Sequence, residues 1–325
     1  MSKDHLYELI EKAKKNDKAS IGRLLTYLES SPDNAIELLK KISVGESGKV
    51  HVIGFTGIPG SGKSTLISRL IHLYRRNNYR IAVIAIDPTS PLSKGALLGD
   101  RIRMQEHTLD PNVFIRSVST RGLKGGLSFA GIAMVEVFDY IGYDKVFIET
   151  VGVGQAEIDI MNAVNTVVVV TMPGIGDEIQ ALKAGVMEIG DIYALNKYDK
   201  DEGEKTYEYL NFVLESGEVG SSRGWKPKLI KLSAITGFGV EELKQAIEEH
   251  LSYVIANGLF NSKVLLRRRL LAKLFIEKLV KDKLDELFEV IELMKISKFE
   301  DQLAFFNEQL GKVLSNLDTR LKNLT

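Results

Sequence analysis

The sequence predicts an α/β fold, a mostly parallel sheet flanked by helices with further helical extensions at both ends, on three observations. Short apolar, β-branched runs alternate with segments of helical periodicity between residues 50 and 256, the pattern of right-handed β–α–β units. Most of those runs, such as Thr166–Thr171, are apolar nearly throughout, as strands covered on both faces should be. The first run leads at once into a glycine-rich turn and a helix, at the carboxyl end of a strand, where ligands of such sheets bind.

Composition narrows the partners. At 325 residues, 44% of them apolar, the chain has room for one large α/β domain plus helical additions. Lys plus Arg and Asp plus Glu stand at 43 each, so no global charge argues for nucleic acid or an anionic membrane. The absence of cysteine excludes disulfides and thiolate metal sites and fits a reducing compartment. There are only five histidines, and they do not cluster along the sequence. The opening MSKDHLYELIEKAKK alternates charge with apolar residues, unlike a signal peptide or anchor, and no stretch approaches the ~20 apolar residues of a membrane helix. The cytoplasm is the expected compartment.

Taken in order, residues 1–48 read as a helical extension. Leu6, Ile10 and Ala13 lie on one stripe, and Ile21, Leu24, Leu25 and Leu28 on another. Ser31-Pro32-Asp33 starts a third helix, with proline in the first turn where its missing N–H costs little. Residues 49–256 form the expected phosphate-binding domain, with strands at Val50–Thr56, Arg80–Ile86, Val113–Ser117, Lys145–Glu149, Thr166–Thr171, Asp191–Asn196 and Lys228–Leu232. In 257–325 the strand alternation stops. Leu266, Leu270, Leu274, Leu284, Leu287, Phe288 and Ile291 recur there at helical spacing, and a helical region that buries this stripe in a homodimer is expected. Arg267-Arg268-Arg269 reads as a solvated basic face rather than a nucleic-acid contact.

The chemistry starts after the first strand. Gly57-Ile58-Pro59-Gly60-Ser61-Gly62-Lys63-Ser64-Thr65 matches the phosphate-loop pattern G-x-x-x-x-G-K-[ST] at every specified position. Its glycines let successive N–H groups turn inward around a phosphate, Lys63 reaches the β- and γ-phosphates, and Ser64 offers a hydroxyl to Mg²⁺. The helix that follows points the positive end of its dipole at the anion. After the second strand, Asp87 and, further on, Asp100 are oxygen donors near the expected Mg²⁺, although an aspartate after a strand also serves as a helix cap. Arg101, Arg103 and Arg121 are available to offset phosphate charge. Glu149 ends the fourth strand where an acidic Mg²⁺ ligand is expected, and Gly152 supplies an N–H for the γ-phosphate. Val153 stands where a water-orienting glutamine is commonly found, with Gln155 two residues on, so slow, partner-aided hydrolysis is expected.

Asn196-Lys197-Tyr198-Asp199 follows the sixth strand as an N-K-x-D pattern. A carboxylate at Asp199 can accept from guanine N1–H and its 2-amino group, neither of which adenine offers. Lys197 would lie along the base, Asn196 would tie this loop to the phosphate loop, and Ser233-Ala234-Ile235 would bring the Ala234 N–H to guanine O6. Thr171–Lys183 reads either as an ordinary strand–helix connection or as an element that reports nucleotide state to a partner.

With the phosphate loop, ETVGVGQ, NKYD, SAITG, DPTS, GDRIRM and TMPGIGDEIQALKAG in hand, the chain resembles the MeaB/ArgK family of P-loop GTPases over essentially its full length. The resemblance implies a Mg²⁺-dependent GTPase that binds GTP and GDP, with Ser64, Asp87, Asp100 and Glu149 around the metal. Lys63 and Gln155 join those acids as catalytic candidates. It also implies a chaperone role toward an adenosylcobalamin-dependent acyl-CoA mutase of the methylmalonyl-CoA type, coupling through the 171–183 loop, and a homodimer. Some family members carry an older label as kinases or ATPases of lysine/arginine/ornithine transport. That alternative is opposed by Asp199, for which an adenine site has no use. A nickel-insertion GTPase is opposed by the lack of cysteine and of clustered histidines.

Overall fold

The apolar runs become β1 (His51–Thr56), β2 (Ile81–Asp87), β3 (Val113–Ser119), β4 (Lys145–Glu149), β5 (Thr166–Thr171), β6 (Ile192–Leu195) and β7 (Lys228–Lys231). In the computed structural model they form one all-parallel sheet ordered β3-β2-β4-β1-β5-β6-β7. The structure describes residues 3–42, 48–87, 104–119, 127–150, 156–174, 186–216 and 224–293, with 300, 302–303, 305, 307–309 and 311. β1 lies between β4 and β5, pairing Phe55 with Glu149 and Thr56 with Val169. The chain therefore fans out to both sides of β1, and the crevice this leaves at its carboxyl end receives the phosphate loop.

Three helices precede the sheet: α1 (Lys3–Lys14), α2 (Lys18–Ser30) and α3 (Pro32–Lys41). Their starts are set by local chemistry. The Asp17 side chain accepts from the Ser20 N–H at 2.9 Å, and Ser31 Oγ accepts from the Asn34 N–H at 3.1 Å ahead of Pro32. The expected stripes face inward: Leu6, Ile10, Ala13, Ile21, Leu24, Leu25 and Leu28 are all buried, each large one contributing roughly 2 kcal/mol.

One face of the sheet is covered by α4 (Lys63–Arg75) and α8 (Val240–Ala256). Leu66, Leu70 and Tyr74 of α4 and Leu243 and Ile247 of α8 pack on Ile53, Phe55, Phe147 and Val168. α5 (Phe129–Tyr140), α6 (Ala156–Ala163) and α7 (Gly203–Glu215) complete the alternation. At Gly54 of β1 a Cβ would lie 2.6 Å from Ile160 of α6, so only glycine lets that helix sit against the strand.

By packing, the chain divides into two units, Met1–Leu271 and Ala272–Thr325, with α9 (Leu259–Leu293) the last long helix among the described residues. In the first unit the basic run departs from the solvated face expected of it. Arg267 is fully buried and its Nε donates to Glu136 Oε1 at 2.9 Å, while Arg268 Nε donates to Oε2 of the same buried carboxylate at 3.1 Å. Helical spacing could not reveal this, because the partner lies on α5, more than a hundred residues earlier. In the second unit Ile276, Phe288 and Leu303 are exposed. Among the described residues no helix is long and apolar enough to cross a membrane.

Candidate functional site

The glycine-rich loop between β1 and α4 is built for an anion. Gly57, Gly60 and Gly62 have φ of +124°, +76° and +92°, a region that side chains disfavour. Space excludes them too: a Cβ at Gly57 would lie 2.0 Å from the Val170 carbonyl oxygen, and one at Gly62 2.4 Å from Asn196 Nδ2. Lys63 is buried, and its ammonium donates into the loop, to the Gly57 carbonyl at 2.8 Å and the Ile58 carbonyl at 3.0 Å. Pro59 and Gly60 are exposed at the loop's tip.

Two further observations test whether a phosphate and a hard cation suit this loop. The Ser61 hydroxyl is buried and has no hydrogen-bond partner among the described residues, an arrangement that calls for a polar group from outside the chain. Ser64 Oγ donates to Glu149 Oε1 at 2.7 Å, near the roughly 2.9 Å that separates neighbouring oxygens around an octahedral ion with ~2.1 Å bonds. Sheet register brings these two together, because Glu149 and the loop leave adjacent strands at the same edge. Asp87 ends β2 at that edge, two residues beyond the Ala85 that pairs with Glu149. Asp100, Gly152, Val153 and Gln155, with Arg101, Arg103, Arg121 and residues 175–183, lie outside the described residues.

The loop after β6 is tied directly to the phosphate loop. Asn196 Nδ2 donates to the Ser61 carbonyl at 2.7 Å, and Lys197 Nζ donates to the Gly60 carbonyl at 2.7 Å. Lys197 itself holds φ +58°, a left-handed conformation that turns the chain sharply beside the loop. Thr65 is half-buried, and Asp199 and Ile235 are exposed. The Ala234 N–H, expected at guanine O6, donates to Asn196 Oδ1 at 2.9 Å. Asn196 thus holds three segments at once, which is why its position is buried.

Sequence reasoning missed Arg69. From the second turn of α4 its Nε donates to the Ala234 carbonyl at 2.9 Å and its Nη2 to the Ile235 carbonyl at 2.7 Å, fixing the Ser233–Ile235 loop against the helix that begins at Lys63. An arginine on an amphipathic helix carries no signal of such a role. Tyr198 also does more than fill the variable place of its motif: its hydroxyl donates to Glu204, which accepts from Lys231 Nζ at 3.0 Å.

Residues 21–289 match the family model described as methylmalonyl Co-A mutase-associated GTPase MeaB. A protein of Pyrococcus horikoshii named as a GTPase is 44% identical over 91% of this chain and 91% of its own length. GTPase ArgK of Escherichia coli is 32% identical over 78% of each chain. The mouse mitochondrial methylmalonic aciduria type A homolog is 32% identical over 75% of this chain and 62% of its own length. A solved structure titled LAO/AO transport system kinase superposes with a TM-score of 0.70 at 23% identity, covering 96% of this chain and 99% of that one, and shares the fold.

Proposed function

Because this chain belongs to the MeaB family of GTPases, we propose that it is a Mg²⁺-dependent GTPase chaperone for an adenosylcobalamin-dependent acyl-CoA mutase of the methylmalonyl-CoA type. The GTPase assignment itself, with guanine-nucleotide binding and conversion of GTP to GDP and phosphate, comes with the family. The mutase partner is supported by the family's description and by the methylmalonic aciduria relative. One observation carries the assignment of roles: Asn196 and Lys197 bridge to the phosphate loop, so phosphate and base recognition share one framework.

In this reading Lys63 leaves the Gly57 and Ile58 carbonyls to neutralise the β- and γ-phosphates, and the backbone N–H groups of Gly57–Thr65 surround them. Ser64 and Glu149, with Asp87 and Asp100, would hold Mg²⁺, which would supply charge neutralisation at the transferred phosphoryl group. Asp199 accepts from guanine N1–H and the 2-amino group, Asn196 and Arg69 hold the base loops in place, the Gly152 N–H is expected to sense the γ-phosphate, and Gln155 is a catalytic candidate. Hydrolysis by the isolated chain is slow and rises with the mutase bound. The kinase or transport-ATPase alternative gains nothing from the similarly named solved structure, since at 23% identity that likeness concerns the fold alone. Domain limits of 1–48, 49–256 and 257–325, a cytoplasmic location and a homodimer through the last region complete the proposal. The dimer is supported by exposed Ile276, Phe288 and Leu303.

The test is nucleotide competition together with capture. Wild type should prefer GTP to ATP by at least about 1,000-fold, as sites built around a paired polar group do. Asp199→Asn should move that preference to xanthosine nucleotides. Equal affinity for ATP and GTP would remove the base assignment, and a pulldown that never enriches a cobalamin-dependent mutase would remove the partner.

A further inference from the structure

Helix α4 carries a second constellation beyond the phosphate loop. Its Ser68 and His72 face a single 3₁₀ turn, Gln105–His107. His72 Nε2 lies 3.2 Å from Glu106 Oε1, and His107 Nε2 lies 3.5 Å from the same oxygen. One ligand-capable atom from each of the three residues falls within 4.8 Å of the other two. The imidazole rings meet edge to face, 4.5 Å between centroids. Ser68 Oγ stands behind them, donating to Glu106 Oε1 at 2.9 Å and 2.8 Å from His107 Nε2.

Ordinary packing explains this convergence poorly. Glu106 Oε1 accepts from Ser68 Oγ at 2.9 Å and lies 3.2 Å from His72 Nε2, while His107 Nε2, 3.5 Å from the same oxygen, pairs with Ser68 Oγ at 2.8 Å. The His72 and Glu106 side chains are 50% and 57% exposed, so neither is drawn there by burial, and an exposed ion pair stabilises little. A metal ion accounts for the arrangement. Tetrahedral zinc with bonds of ~2.0–2.2 Å separates its ligand atoms by roughly 3.3–3.5 Å. The two edges measured to Glu106 are 3.2 and 3.5 Å, so seating an ion requires that the two histidines close toward each other and that His107 Nε2 exchange its Ser68 contact for the ion.

We propose that His72, Glu106 and His107 bind one divalent transition-metal ion of the zinc class. Two imidazoles and a carboxylate are the donor set of an open zinc site, whereas Mg²⁺ and Ca²⁺ favour oxygen ligands throughout. The half-exposed His72 and Glu106 leave a way in and a fourth position for water, while buried His107 anchors the inner side. Ser68 orients Glu106 in the manner of an outer-shell partner. Occupied, the site clips α4, whose first turn carries Ser64, to the turn that follows the 88–103 segment containing Asp100. The ion thereby ties α4 to the turn that precedes β3.

The experiment uses the full chain, stripped with chelator and saturated with Mg²⁺ and GDP so that zinc does not enter the nucleotide site. Zn²⁺ is titrated in competition with a chromophoric chelator, and Co²⁺ is added in parallel to read geometry from its visible bands. One equivalent should bind, with strong tetrahedral-type Co²⁺ absorption. His72→Ala should weaken zinc at least about 100-fold, the upper end of what loss of an outer-shell partner costs, and Ser68→Ala by about 10-fold. Both variants should bind GDP as wild type does, which shows that they are folded. Zinc affinity that survives both His72→Ala and Glu106→Ala, or an octahedral-type Co²⁺ spectrum, overturns the proposal.

Discussion

The two ends of α4 hold side-chain groups of opposite origin. At Lys63 and Ser64 the functional atoms come from consecutive residues, and their geometry is dictated by backbone conformations that glycine alone accepts, φ +92° at Gly62 among them. Around His72 the functional atoms come from residues 34 and 35 positions apart, and they meet only because β2 and the chain after it return to the helix. A site made from contiguous residues tolerates no change of backbone type. A site made from distant side chains tolerates loss of any one of them without loss of the fold.

Substitutions at the two ends should separate these behaviours. On nucleotide binding, the largest effect is expected at Gly57. Its added Cβ in Gly57→Ala would collide with the Val170 carbonyl at 2.0 Å and deny the loop its left-handed conformation. GDP affinity measured by calorimetry should fall by more than about 100-fold, the equivalent of ~2.7 kcal/mol. Near-wild-type affinity would mean that the loop does not hold the phosphates.

Next comes a site that is structural throughout. Glu136→Gln leaves the buried Arg267 guanidinium without its countercharge, and breaking a buried pair in this way costs about 3–5 kcal/mol. Urea denaturation should report that loss with nucleotide affinity of the remaining folded protein unchanged. A shift below about 1 kcal/mol would show that the pair is dispensable. Smaller still, Arg69→Ala removes two hydrogen bonds from the Ser233–Ile235 loop at an exposed guanidinium. At about 1 kcal/mol net, guanine-nucleotide affinity should drop roughly fivefold while phosphate binding persists. An unchanged ratio of GTP to inorganic triphosphate binding would dismiss Arg69 as a positioning residue.

The last effect is a pH dependence away from both ends. Burial, then the Lys145 charge beside it, holds buried His51 well below the usual histidine range, so it is neutral in the fold. The unfolded chain takes up a proton there as pH falls through about 6.5, and the fold does not. Stability should therefore decline below pH ~6.5, by up to about 1.4 kcal/mol per pH unit for this one group, and His51→Gln should flatten that decline. An unaltered slope in the variant would assign the acid sensitivity elsewhere.

Much of this molecule could be read without coordinates. Seven strands in a mostly parallel sheet, the phosphate loop, the N-K-x-D loop and the buried stripes of α1 and α2 follow from local pattern, because each depends on residues within a few positions of one another. The tie from Asn196 to the phosphate loop was legible as well, since the motif carries the geometry with it. Tertiary structure alone decided where the Ala234 N–H goes, that Arg69 braces the base loop, and that Arg267 is buried against Glu136 rather than solvated. It also brought together two histidines that do not cluster along the sequence. His72 and His107 are remote in sequence, and they meet because a parallel sheet must return its chain to the same edge after every helix. Side-chain chemistry between distant residues leaves no period and no motif in a sequence. It becomes visible only when packing has chosen which surfaces face each other.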